Sequence, residues 1–388
     1  MGLLRRVALA RYGEIALKSP PVRRRMERKL LENVVRALER RGIEFEEAAI
    51  ESARILVYTE RSEEAARAMA RVFGVVSTSP AVECGNSIEE IQRVALEEAR
   101  RFIERRRVET FAVRARRSFK GYPLTSKDVE RIVGNVVRRE LGLSVDLEGP
   151  DLVVGIEVWR DRAFVYTETI RGPGGLPYGV EGLALALFSG GIDSFVAAWL
   201  AAKRGCRVCL LFADPGSFWS DAARERVARA ARELREWVPE SLRLFIVENY
   251  GELLKQILER VERELVCIVC KKLMMRIGEA LAREIGALAL VTGESIGQVA
   301  SQTLHNIAAV ESGVRIPVIR PVAGMDKEEI AELARRIGVY TSLAIDVGRC
   351  RAAPLHPATR ADMNRVEGYS DLVEELASRA SVVERSVD

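Results

Sequence analysis

No apolar run in this sequence approaches the length needed to cross a bilayer. The amino-terminal MGLLRRVALARYGEI lacks both the apolar core and the small-residue cleavage site of a secretory leader, so a cytoplasmic location is expected. Cysteine is too sparse for a disulfide scaffold, with six residues in 388 and no secretory signal beside them. There is no internal repeat and no low-complexity tract. Strong charge of one sign is also missing: 60 Lys and Arg against 56 Asp and Glu leave a net charge of +4. Partners must therefore be judged from local charge. With 48% apolar and 30% charged residues the composition is that of a soluble globular protein, and the length calls for two or three domains.

Local charge is uneven. RRRMERK (23–29), RRFIERRR (100–107) and RARRSFK (114–120) all fall in the first third of the chain. Each alone would suit a solvated helix face. Three together, with Phe119 and Tyr122 beside the last, point to a polyanion such as RNA.

The pattern changes near residue 180. Before it, RRVALARYGEIAL, a basic helix over 22–41, ARILVYT, a helix over 62–73, FAVRARR and DLVVGIEVW describe small α+β units. IRGPGGLPYG (170–179) reads as a linker. Beyond it, apolar strands alternate with helices: ALALF, a helix over 194–204, RVCLLFAD, a helix over 221–236, LRLFIVE, a helix over 251–264, another from about 271, ALALVTG, and one from about 296. Such near-continuous apolar strands predict a doubly wound parallel sheet covered on both faces.

The first of these strands enters its helix through Ser189-Gly190-Gly191-Ile192-Asp193-Ser194. A strand entering a helix leaves backbone N–H groups unpaired at the positive end of the dipole, and glycines let them close on an anion. Ser189 and Ser194 add hydroxyl donors, while Asp193 can hold Mg²⁺ or fix the loop. Neither the G-x-x-x-x-G-K-[ST] loop nor the G-x-G-x-x-G fingerprint is present. The bland alternative, a helix cap with convenient glycines, loses ground because both strand and helix are clear.

SGGIDS resembles the pyrophosphate (PP) loop of the ATP-pyrophosphatase superfamily, whose members cleave ATP between its α- and β-phosphates to adenylate a substrate. CIVCKKLMMRIGEALA (267–282), LVTGESIGQVASQTLHNI (290–307) and IRPVAGMDKEEIAELARRIG (319–338) resemble the tRNA 4-thiouridine synthetase family, the ThiI-type tRNA sulfurtransferases. RYGEIALKS (11–19) is similar to the ferredoxin-like start of that family. VFGVVSTSPA (72–81) and TFAVRARRSFKGYPLTSKDVERIVG (110–134) are similar to its THUMP domain, an RNA-binding module, and GPGGLPYG to its linker. The resemblance implies a ferredoxin-like domain over 1–60, a THUMP domain over 61–169, a linker over 170–180 and a PP-loop ATP-pyrophosphatase domain over 181–388. It also implies an activity: ATP adenylates uridine O4 of tRNA, at position 8 in the family, and sulfur replaces the oxygen. Sulfur transfer to a ThiS-type carrier for thiamine thiazole synthesis, or tRNA binding without catalysis, are the alternatives.

Leu187-Phe188 and Phe212-Ala213 end the first two strands of the second half, where α/β folds bind nucleotides. By resemblance Lys271, Gly293 and Gln302 join Ser189, Gly190, Gly191, Asp193 and Ser194 in binding ATP with Mg²⁺. Gln302 is expected on the helix from about 296. Asp326-Lys327 reads as a helix cap, with catalysis the alternative. Met274 and Met275 read as core packing. Arg114, Arg116, Arg117 and Lys120 are expected on tRNA phosphates, and a homodimer is expected from the family.

Cys206 and Cys209 on a strand read as core or surface thiols. Cys267 and Cys270 precede a helix whose N-terminus, with Lys271, would favour thiolates. Cys350, in DVGRCRAAPLHPAT, matches an essential cysteine of the family. Many bacterial members add a rhodanese domain that delivers a persulfide, and a chain ending near 388 is expected to lack it, as archaeal members do. In those members a CxxC joins the third cysteine, and three thiolates would hold three irons of a [4Fe–4S] cluster, leaving the fourth open to sulfide. A persulfide on Cys350 exchanging with Cys267 or Cys270 is the alternative. Zinc is disfavoured, since the two histidines, His305 and His356, both read as structural.

Overall fold

The computed structural model describes residues 4–387. The chain divides after Pro177 into two compact units, each built on its own sheet.

The first unit runs β1 (Arg5–Tyr12), α1 (Pro20–Glu39), β2 (Glu47–Glu51), β3 (Arg54–Tyr58), α2 (Ser62–Met69), β4 (Val75–Gly85), α3 (Ile88–Ile103), β5 (Thr110–Arg117), α4 (Ser126–Leu141), β6 (Ser144–Val145), β7 (Leu152–Val158), β8 (Arg162–Tyr166) and β9 (Ile170–Arg171). One sheet orders them β2-β3-β1-β4-β8-β7-β5-β6, with β9 also on β4. The long strand β4 joins the halves, pairing Val7 of β1 with Ala81 and Val165 of β8 with Val82. The local signals are plain. Prolines open α1, which buries Met26, Leu30, Val34 and Leu38 at a spacing of one turn. Thr125 and Asp128 form a reciprocal cap on α4, which stops at Gly142 with φ +68°.

The second unit runs β10 (Leu183–Leu187), α5 (Ile192–Lys203), β11 (Arg207–Ala213), α6 (Asp221–Arg235), β12 (Leu242–Val247), α7 (Tyr250–Arg260), α8 (Val266–Ile285), β13 (Ala289–Val291), α9 (Leu304–Glu311), β14 (Val318–Ile319), α10 (Lys327–Arg336), α11 (Tyr340–Leu343), α12 (Met363–Glu367), α13 (Ser370–Ser378) and β15 (Val382–Val387). The sheet order is β14-β13-β10-β11-β12-β15, all parallel except the antiparallel β15. Helix α5 packs with α6 and α10, while α8 packs with α7, α9 and α13. This is the doubly wound parallel sheet expected. The chain runs outward from β10 to β12, then returns to β13 on the other side of β10, which makes a switch point at the carboxyl ends of β10 and β13.

Two helix starts differ from the sequence expectation. Helix α8 begins at Val266 rather than near 271, because the β-prone VCIVC segment buries Val266, Ile268 and Val269 in the core. No helix begins at 296: a single 3₁₀ turn over Ala300–Gln302 precedes α9, so Gln302 lies on that turn.

Within the first unit, one carboxylate ties three strands. Glu157 on β7 accepts Arg11 Nε of β1 at 2.7 Å and Arg54 Nε of β3 at 3.0 Å, and it is only 4% exposed. Replacing it by alanine strands two desolvated guanidiniums, so Glu157→Ala is expected to lower stability by about 3 kcal/mol in urea unfolding followed by circular dichroism. An unchanged midpoint would show that the triad contributes nothing.

Candidate active site

The loop between β10 and α5 is closed by its own hydroxyls. Ser189 N donates to Ser194 Oγ at 3.3 Å, and Ser194 Oγ donates to the Gly191 carbonyl at 2.9 Å. Gly191 N donates to Ser189 Oγ at 3.4 Å. No side chain caps α5, so its first N–H groups remain free for an anion at the positive end of the dipole. Two glycines permit this by close approach. At Gly190 (φ +71°) a Cβ would lie 2.6 Å from Val227 Cα, and at Gly293 it would lie 2.6 Å from the carbonyl carbon of Asp193 and the nitrogen of Ser194.

The loop opens onto a cavity of about 350 Å³ at the carboxyl ends of β10, β11, β12 and β13. Every sequence candidate for the nucleotide lines it except Gly190 and Gly191: Leu187, Phe188, Ser189, Asp193, Ser194, Phe212, Ala213, Lys271, Gly293 and Gln302. Met274 and Met275, expected in the core, also reach its wall, as do Trp219, Thr292 and Glu294, which the sequence reading did not single out.

Charge in the cavity is organised around Glu294. Its carboxylate accepts Lys271 Nζ at 3.0 Å, Arg320 Nε at 3.0 Å and Thr292 Oγ1 at 3.1 Å. Burial alone would raise the Glu294 carboxyl, but the charges and hydrogen bonds of Lys271 and Arg320 outweigh it and hold it below the usual range. Asp193 goes the other way. Burial raises it, against the hydrogen bond from Gln298 Nε2 at 3.2 Å and the charge of Lys327. Asp326 caps α10, its side chain accepting from Glu328 N and Glu329 N.

The helix start at Val266 places Cys267 in the first turn of α8 and Cys270 at the start of the second, on one face. Cys350 lies in a loop fastened next to the cavity wall, where Arg351 N donates to the Phe218 carbonyl at 2.8 Å and Ser220 Oγ to the Val347 carbonyl at 3.0 Å. The three thiols are near enough to act on one another's charge. Burial opposes the expected thiolate bias. Burial pushes Cys267 up, aided by Cys350, and pushes Cys270 up to about 12 despite Tyr250 Oη at 3.0 Å from its Sγ. The charge of Lys271 lowers both thiols but is outweighed by burial. Among the described residues no three His, Cys, Asp or Glu side chains converge on one metal ion. A cluster whose thiolates each hold a different iron does not require such convergence, so the donor set fits one in kind. Cys209 is buried in the core beside Leu211 and Phe245.

Comparison with known proteins decides the family. The model of the "Thiamine biosynthesis protein (ThiI)" family matches residues 179–374, and the ThiI ferredoxin-like and THUMP models match 7–79 and 85–168. A probable tRNA sulfurtransferase of Methanothermobacter thermautotrophicus is 41% identical, over 95% of this chain and 93% of its own. The chain belongs to the ThiI family of tRNA sulfurtransferases. A crystal structure of a 4-thiouridine synthetase–RNA complex with bound ATP superposes with a TM-score of 0.83 at 33% identity, covering 99% of this chain and 100% of that one. A Pyrococcus horikoshii protein gives a TM-score of 0.67 at 28% identity, covering 86% and 99%.

In this ThiI-family chain the basic candidates of the first unit have different surroundings. Arg116 and Lys120 are exposed. Arg114 donates to the Leu147 carbonyl, and half-buried Arg117 donates to the carbonyls of Tyr122 at 3.3 Å and Leu124 at 2.8 Å, tying the loop before α4. No helix among the described residues is long and apolar enough to cross a membrane.

The raised Cys270 thiol has a direct consequence. At pH 8 a thiol with a pKa of about 12 is ionised in about one molecule in ten thousand, against about a quarter for an ordinary thiol. Iodoacetamide labelling of iron-free folded protein, read by peptide mass spectrometry, should therefore modify Cys270 about a thousandfold more slowly than the denatured chain. Labelling at the denatured rate would show that the thiol is not desolvated.

Proposed function

We propose that the second unit adenylates O4 of a tRNA uridine, at position 8, and exchanges that oxygen for sulfur. The carrying observation is the uncapped, glycine-bounded loop opening onto a cavity whose walls hold nearly every nucleotide candidate. That the solved 4-thiouridine synthetase complex holds RNA and ATP supports the reading. The loop N–H groups, Ser189 and Ser194 would hold the phosphates of ATP, with Asp193 holding Mg²⁺ against them. Phe188, Phe212, Ala213, Gly293 and Gln302 would enclose the nucleoside, and Lys271 would share its ammonium between Glu294 and phosphate oxygen. Uridine O4 attacks the α-phosphorus and pyrophosphate leaves with the electron pair. A sulfur nucleophile then attacks C4, and AMP leaves with the former O4.

The sulfur would come through Cys267, Cys270 and Cys350. Held on these three thiolates, a [4Fe–4S] cluster would leave one iron free to take up sulfide. The second reading is a persulfide relay, in which the terminal sulfur of a Cys350 persulfide attacks C4 and another thiol releases it as a disulfide. Its support is the pairwise nearness of the thiols. Sulfur delivery to a ThiS-type carrier is supported only by the description of the matching family.

tRNA would be gripped by the first unit in a homodimer, with Arg116 and Lys120 on its phosphates and Arg114 and Arg117 shaping the same surface. The first test separates this grip from the chemistry. Asp193→Ala is expected to abolish thiolation and the tRNA-dependent release of AMP and pyrophosphate while leaving tRNA affinity intact. Arg116→Ala with Lys120→Ala should leave the chemistry at saturating tRNA, and flatten the salt dependence of binding by up to about 0.9 in log–log slope per lost contact. Loss of tRNA affinity in folded Asp193→Ala would overturn the separation.

The second test concerns sulfur. Serine at Cys267, Cys270 or Cys350 should lower iron and acid-labile sulfide in anaerobically purified protein and stop thiolation, whereas Cys206→Ser and Cys209→Ser should do neither. Full activity of rigorously iron-free protein would leave the relay in place of the cluster.

A further inference from the structure

Arg226 is a cation outside any ion pair, beside the phosphate loop. It projects from α6 at half burial; burial lowers it, the charge of Asp346 works the other way, and among the described residues no carboxylate comes close enough to form an ion pair with it. Its neighbours on the same helix are neutralised, Arg224 by Asp214 and Asp221, and Arg229 by Glu225. Arg226 Nε is buried with no hydrogen-bond partner, and Nη2 reaches only the Ser189 carbonyl, at 3.4 Å. Its guanidinium carbon stands 5.5 Å from the ring centroid of Trp219, which lines the cavity. The loop is pressed onto this part of the helix, because Gly190 lies against the backbone of Val227 and of Arg226 itself. A Cβ on Gly191 would lie 3.8 Å from Arg226 Nη2. Desolvating a guanidinium outside an ion pair is costly, and the cost is offset when an anion completes the site. Asp193, the acid of the loop, faces Gln298 instead.

We infer that Arg226 binds the β- and γ-phosphates of ATP and neutralises the pyrophosphate as it leaves. The inference rests on the adenylation reading above. In that step the bond from uridine O4 to the α-phosphorus forms, and the bond from the α-phosphorus to the bridging oxygen breaks. The bridging oxygen keeps the electron pair, so negative charge grows on the pyrophosphate. Arg226 meets that charge with a planar fork, held in orientation by the Trp219 ring. AMP carries neither of the contacted phosphates, so its affinity is independent of Arg226.

Titration calorimetry on the full chain with Mg·ATP, Mg·pyrophosphate and AMP tests this. In Arg226→Gln the Kd for ATP and for pyrophosphate should rise about tenfold to a hundredfold, with the Kd for AMP unchanged. Arg226→Lys should recover part of the loss, and Arg229→Gln should bind all three as the parent does. Unchanged ATP and pyrophosphate affinity in Arg226→Gln would overturn the inference. So would a parallel loss of AMP affinity, since that marks a pin for the loop rather than a phosphate ligand. Should the glutamine variant fail to fold, Arg226→Lys decides alone, because an ammonium replaces the fork only in part and unchanged pyrophosphate affinity would refute the assignment. Release of ADP and phosphate by the parent enzyme would instead overturn the adenylation reading, a result separate from the titrations.

Discussion

The site depends on two backbone approaches that no side chain would survive. The end of β13 meets the start of α5 at Gly293, and α6 meets the loop at Gly190, each at 2.6 Å from where a Cβ would sit. The loop is thus clamped from both sides by main chain. Its hydroxyls satisfy one another, so the free N–H groups of α5 face the cavity and not a cap. Steric exclusion at two glycines thus sets the path of the loop.

Around that clamp, charge is held by partners far apart in sequence. Glu294 stands between Lys271 and Arg320, and Arg320 also reaches Glu311 at 2.9 Å. A buried carboxylate with two cations fixes the Lys271 ammonium at the cavity wall and stays ionised there. Asp193 lacks a cationic partner of that kind, so desolvation raises it, and an incoming metal or cation would have the larger effect on it. The two acids of the cavity are thus shifted in opposite directions.

The cysteines show how tertiary context reverses a local rule. A helix N-terminus and an adjacent lysine favour thiolates in general. Here burial and the neighbouring thiols act against that bias and outweigh the hydrogen bond of Tyr250 and the charge of Lys271.

By itself the sequence determined the fold class, many of the elements and the family. Apolar strands such as LALAL between amphipathic helices announce a parallel sheet, and SGGIDS announces a phosphate loop, because both patterns are local and follow from hydrogen bonding and helix polarity. What it left open depends on contacts across long separations. The start of α8 at Val266 was set by core burial, and the place of Gln302 by a single turn that no periodicity marks. Trp219, Glu294 and Met274 join the wall because strand ends meet there. The approach of Arg226 to Ser189 spans dozens of residues in sequence. Only the tertiary structure decided them, since a side chain's neighbours across a sheet are a matter of packing and leave no trace in its own segment.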